Sequence, residues 1–322
     1  MKADLHVHSY HSGYAGHLRF LRARDCYSDP EAVYRTAKAR GMDVVTITDH
    51  DSISGCLEFL DRHPDAEDFF ISEEIECRIP GTPVRVHIGA YDIDERIHRE
   101  VQPLRGSVYE TAAYLRGQGV FFALNHLFFF CPDDMTLGEY LAALLPLFGA
   151  FEVRNGTMLA CHNRLVETIA AEQRQRGLPA VPVGGSDAHT LAGVGTTYTE
   201  APGRNLAEFL TSLRAGRASV GGAHGGPLRV MREIYGVVAR YWASLLGAGR
   251  QELSWGRRAI GLGFSAASMP FEFIPAVVAL ADKRRERRRI EALAREWAAA
   301  HAGQAQPAAA AAASARAESA AV

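Results

Sequence analysis

At 322 residues with 48% hydrophobic content, the chain can bury a full-sized core, which excludes a disordered segment or a disulfide-stapled miniprotein. Lysine and arginine number 35 against 37 acidic residues, a formal net charge of -2; no global field is available to hold a nucleic-acid duplex or an acidic bilayer, so any anion must be held locally. Five cysteines without a C-x-x-C pair argue against a disulfide framework and a thiolate zinc site, and the opening MKADLHVHS carries no apolar signal region, which predicts cytoplasmic residence.

From Lys2 to about Val220, short β-branched runs alternate with helical patterns, the mark of β-α units around a parallel sheet. Strands are predicted over 3–8, 43–48, 69–75, 84–91, 120–125, 151–153 and 180–183. The first helix is signalled by Asp29 as cap, Pro30 at the first position, Glu31 in the first turn and Gly41 as stop. Further helices are predicted over 107–116, 137–147, 158–176 and 206–214. After the cluster Gly221, Gly222, Gly225 and Gly226 the strands cease, so 1–222 reads as one α/β domain and 223–301 as a helical appendage. The alanine-rich tail 302–322 lacks core-forming side chains and is predicted disordered. Within the appendage, 259–280 is apolar, but Glu272, Pro270 and Pro275 favour a packed helix pair over a membrane span. The basic run 283–289 is either a solvated helix face or a peripheral contact with anionic lipid.

The histidines are the informative residues. His6 and His8 project from one face of the first strand about 7 Å apart, close enough for both imidazoles to reach one metal. The second strand stops at Asp49-His50-Asp51; the third closes on Glu73 and Glu74; His87 lies in the next; Asn125-His126, Glu152, and Asp187 with His189 follow later strands. In a parallel α/β fold these carboxyl ends open onto the ligand crevice. Imidazole and carboxylate without thiolate is a ligand set for zinc, manganese or iron, and His6, His8, His50, Glu74, His87, His126, Asp187 and His189 make eight candidates, more than one four-coordinate ion uses, which implies two or three divalent ions.

In order, Asp4-Leu-His-Val-His-Ser9, Thr46-Ile-Thr-Asp-His-Asp51, the Glu74 strand, His87, His126, Glu152-Val-Arg-Asn-Gly156 and Gly185-Ser-Asp-Ala-His189 resemble the polymerase and histidinol phosphatase (PHP) family over roughly residues 2 to 220. The resemblance implies a distorted seven-stranded β/α barrel, a trinuclear metal cluster and a phosphoesterase activity. It assigns His6, His8, Glu74 and Asp187 to one ion, Glu74, His87 and His126 to another, and His50 with His189 to a third, and its Gly-x-Glu pattern selects Glu74, as the bridging ligand, over Glu73. The chain departs from the family's Ser-Asp-Gly after the first motif: Ser12 is followed by Gly13 and an insertion through Asp25. His17 or His11 then supplies the missing ligand, His17 being preferred. Asp4 and Asp49 are candidates to hold imidazole N–H groups.

The expected chemistry is hydrolysis of a phosphate ester, most simply a phosphomonoester, by a hydroxide shared between two ions. Asp187 and a protonated His189 are the catalytic candidates, His189 assisting departure of the alkoxide, and Arg154 is a clamp for the phosphate of a small substrate. Nuclease action on short nucleic acid is an alternative with little basic or aromatic support beyond Phe128-Phe-Phe130. A non-catalytic ligand-binding module of the same family is the other. Oligomeric state is not readable from the sequence.

Overall fold

In the computed structural model of the chain, structure is described for residues 1–14, 21–132, 135–248, 253–271 and 273–301. His17 and the tail 302–322 lie outside them.

The fold is mixed α/β. Strand β1 (Lys2–Ala3) joins β7 (Thr197–Glu200) and β8 (Ser219–Gly222) in an antiparallel three-stranded sheet. A five-stranded sheet runs in chain order through β2 (Ser72–Arg78), β3 (Arg85–Tyr91), β4 (Phe121–Leu124), β5 (Ala150–Asn155) and β6 (Val181–Gly185). Two features differ from the expectation. Strand β3 is antiparallel to both neighbours, because the link between β2 and β3 is too short for the dozen or more residues that a parallel crossover needs. The expected seven-stranded barrel is not formed as such either, the strands falling into a three-stranded and a five-stranded sheet. The segments carrying His6–His8 and Val45–His50 join their neighbours through the isolated parallel bridges Val7↔Ala188, Val45↔Phe69 and His50↔Glu74. Side chains take the ladder's place there: Thr48 Oγ1 serves the Val7 amide at 2.9 Å, Thr46 Oγ1 donates to the Phe70 carbonyl at 2.7 Å, and the Ser186 amide donates to Asp4 at 2.8 Å.

The helices follow their caps. Helix α1 (Pro30–Ala39) opens on Asp29, which accepts from the Glu31 amide. Helix α4 (Val108–Gly117) opens on Ser107, α5 (Leu137–Leu144) on a Thr136–Glu139 capping box, and α7 (Leu206–Arg214) on Asn205. Helix α6 spans Ala160–Gln175. Two short helices, α2 (Ser54–Arg62) and α3 (Glu95–Val101), went unread in the sequence, as did β7 and β8; α2 has no side-chain cap to announce it.

The last three helices are α8 (Pro227–Leu245), α9 (Trp255–Ser268) and α10 (Ile274–His301). Helix α10 lies on the α/β core: Ile290 and Leu293 belong to the same apolar cluster as Ile75, Ile88, Leu141 and Phe151. Three polar contacts fix it, from Lys283 Nζ to the Thr157 carbonyl at 3.0 Å, from the Leu159 amide to Glu286 at 3.0 Å, and from the Leu137 amide to Glu296 at 3.1 Å. In the expected packed pair, α9 buries only Gly261 and Ser265, and most of its apolar side chains face outward.

Candidate metal centre

Glu74 lies on β2 with no exposed surface. Around it stand His6 Nε2 at 3.2 Å, His8 Nε2 at 3.6 Å, His50 Nδ1 at 3.0 Å, His87 Nδ1 at 3.1 Å and His126 Nε2 at 3.1 Å. Glu73 faces the opposite way, to His98 Nδ1 at 2.8 Å, as period-two alternation along a strand requires. Asp187 Oδ1 lies 3.6 Å from His6 and 3.4 Å from His8. Four sets have ligand atoms close enough to share an ion: His6, His8 and Asp187; His6, Glu74 and His126; His50, Glu74 and His87; His8, His50 and His189. The grouping differs from the family assignment in placing His87 with His50, and His8 with His50 and His189.

The scaffold brings these atoms together by close approach and turned strand ends. A Cβ on Gly185 would collide with the backbone N and Cβ of His6, so only glycine lets the first segment sit against β6. Asp187 (φ 51°) and His126 (φ 27°) both lie in the left-handed region, a conformation costing of order 1–3 kcal/mol for such residues and held here by the surrounding bonds. Asp187 accepts from Thr157 Oγ1 at 2.8 Å and Asn155 Nδ2 at 3.2 Å.

The rings are oriented from behind. His6 Nδ1 meets Glu152 at 2.8 Å and His8 Nδ1 meets Ser12 Oγ at 2.8 Å, which leaves the other nitrogen of each turned to the centre. Asp4 and Asp49 do not hold rings directly. Asp4 accepts from the amides of Ser186, Gly195 and His6, and Asp49 from Ser9 and from the Ser12 hydroxyl that serves His8. Glu152, which also accepts from the His126 amide at 2.9 Å, is the stronger orienting residue.

A carboxylate absent from the expected ligand set stands at this edge of the cluster: Asp25, at the end of the insertion. Its Oδ2 lies 3.0 Å from His189 Nε2 and 3.5 Å from His50 Nε2. His11 turns away to Glu58 at 2.7 Å. The signal was available: a carboxylate two residues before Tyr27, on the approach to the α1 cap. Arg154 does not line the cavity; its charge bears on His224.

Electrostatics fit cations. Burial pushes the Glu74 carboxyl up, but the charges of His6, His87 and His50 outweigh it and hold it well below its usual range. Burial likewise opposes charge on His6, His50 and His189, and the surrounding carboxylates overcome it, raising His189 to about 9. Burial, helped by His189 and His50, drives His8 down to about 3. Buried His6 Nε2, His8 Nε2, His87 Nδ1 and Glu74 Oε2 make no hydrogen bond. Buried polar atoms are rarely left so, and these four face one another, so the residues present fit divalent ions.

Beside them opens a cavity of 410 Å³ lined by Asp25, His126, Asp187 and His189 on one side and by α8 and Lys283 on the other. The fold and donor set define an α/β protein with a site whose residues fit divalent cations. The PHP-associated family model matches residues 162–218, which span most of α6, β6, Asp187, His189, β7 and α7; over this stretch the chain is similar to that family. An uncharacterized protein of Methanocaldococcus jannaschii is 43% identical over 58 residues, 18% of this chain, and the match spans 33% of that protein's length. Among solved structures, PsfC from Pseudomonas syringae PB-5123 is similar in fold, with a TM-score of 0.51 and 20% identity over 74% of this chain and 98% of its own. A two-domain protein from Bacteroides vulgatus ATCC 8482, containing a predicted PHP-like metal-dependent phosphoesterase, gives 0.46 and 17% over 73% of this chain and 69% of its own.

Proposed function

We propose that the protein is a divalent-metal-dependent phosphoesterase acting on small phosphomonoesters, with His6, His8, Asp25, His50, Glu74, His87, His126, Asp187 and His189 holding two to three ions of manganese, iron or zinc. The observation that carries this reading is the convergence of five imidazoles on one buried carboxylate, with unpartnered nitrogens and oxygen at the centre. Bound there, divalent ions make water acidic near neutral pH and offset charge on phosphoryl oxygens.

The chain's own residues do the rest. Glu152 and Ser12 fix the tautomers of His6 and His8. Asn155 and Thr157 hold Asp187 in place. With two ions bound and none at His189, this ring, between Asp25 and Asp187, is raised enough to carry a proton near neutral pH and is placed to pass it to the departing alcohol. In the net reaction, water's oxygen bonds to phosphorus, the ester P–O bond breaks, and the alcohol leaves with a proton. The cavity volume falls in the range of small-molecule sites, about 300–1,000 Å³, and among its described lining residues the lysine or arginine is Lys283, unlike the basic channel a nucleic-acid strand needs.

The test is a panel of sugar phosphates, nucleotides, bisphosphates and short oligonucleotides with the manganese-loaded full chain, against Asp187→Asn. Phosphate release from monoesters, at least 100-fold slower in the variant, is expected. Cleavage confined to oligonucleotides would favour a nuclease, and no turnover at all a ligand-binding module.

A further inference from the structure

The wall of the cavity facing the candidate metal centre is built by the appendage. Val230, Ile234, Val237 and Val238 recur at helical spacing along one face of α8. Met158 and Phe129 extend the apolar surface from the α/β core. Glu233, Thr157 and Lys283 are the polar groups on this side; a substrate whose phosphate sits among the imidazoles and carboxylates would place its organic part mainly against aliphatic side chains, where most hydroxyl groups would lose water without gaining partners. A polyhydroxylated sugar suits that wall poorly; an alkyl or aryl group suits it well. We infer that the substrate is a phosphomonoester with an apolar organic group, selected by α8. This rests on the phosphoesterase reading for its chemistry, and the test separates the two.

Binding of hexylphosphonate and methylphosphonate, neither of which has an ester to cleave, is measured by calorimetry on the manganese-loaded full chain. The hexyl compound is expected to bind at least tenfold tighter. In Ile234→Asn with Val237→Asn the two should fall within threefold, with metal content and circular dichroism unchanged. Equal affinities in the parent would overturn the inference, whatever the variant does. Hydrolysis is then followed with hexyl phosphate and glycerol phosphate. Tenfold preference for hexylphosphonate without hydrolysis of either ester would sustain the apolar selection and reject the phosphoesterase reading.

A separate observation concerns the surface. Trp255, Ile260, Met269, Phe271, Phe273 and Val277 are all more than half exposed, large apolar side chains grouped within residues 255–277, and exposed apolar groups gathered in this way mark an interaction surface. No single described helix is long and apolar enough to cross a membrane; Trp255–Phe271 and Ile274–His301 pass only as a pair, bent by 66°. Exposed Arg257 follows Trp255 closely in the sequence, and exposed Arg284, Arg287 and Arg288 follow Val277 along α10. Apolar side chains accompanied by arginine match an anionic bilayer, whose headgroups attract the cations while its acyl boundary takes the apolar groups. We propose that this bent pair docks the protein on an anionic membrane surface. The full chain should sediment with phosphatidylserine-containing vesicles, less so at high salt, and at least tenfold less as Trp255→Ser with Phe271→Ser and Phe273→Ser. Failure of the parent to sediment, or equal sedimentation with pure phosphatidylcholine, would overturn this. So would dimerisation of the free parent that the same triple variant abolishes, since the patch would then be a self-association face.

Discussion

Glu74 derives its character from its neighbours: alone in the core, a carboxylate would take a proton, yet the charges of His6, His87 and His50, with a hydrogen bond from His126, keep it charged. The same residues set a pH dependence. Without metal, His6, His50 and His189 hold protons at neutral pH, and a ligating imidazole must give its proton up. Metal affinity should therefore weaken as pH is lowered and these imidazoles keep their protons. Calorimetry in two buffers of different ionisation heat should find more than one proton released per chain on manganese loading at pH 7; none released would contradict the protonation assigned here. Asp25→Asn should lower the metal content by about one ion while leaving the sets around Glu74 filled, and unchanged stoichiometry would remove Asp25 from the ligands. Most of the cluster was legible because each histidine or carboxylate ends an apolar run. Asp25 was not, since an insertion separates it from the first motif.

Among the elements, the capped helices were readable to within a residue or two: Asp29, Ser107 and Asn205 each accept from a first-turn amide. What eluded the sequence depends on partners far along the chain. Strands β7 and β8 are four residues each and exist by pairing with each other and with β1, and the direction of β3 follows from the length of a turn rather than from hydrophobic pattern. Helix α10 owes its seat partly to Glu286, which burial pushes up but His162 and Lys283, with the Leu159 amide, pull down to about 2 from 4.5. A depressed carboxyl stabilises the fold above its unfolded value and loses that contribution as pH falls through the folded one. Glu286→Gln should thus cost about 1–3 kcal/mol in urea unfolding at pH 7, with the difference from the parent shrinking as pH drops from 4.5 toward 2. A constant difference across that window would mean that packing, not charge, is what the variant removes.

Across the whole molecule, the composition change near Ala223 marks where strands give way to helices. It does not show that those helices close over the site. Ile290 and Leu293 complete the core, and α8 forms a wall of the cavity. A chain ended at Ala223 would expose both surfaces. It is expected to unfold at lower urea than the full chain, and a transition at the same midpoint would show that α8 and α10 add nothing to the fold.

The account depends above all on ions shared at Glu74. Metal analysis of the full chain after manganese reconstitution should find two to three ions, and Glu74→Ala should lose more than one of them. Fewer than one ion in the parent, or full stoichiometry in the variant, would contradict it.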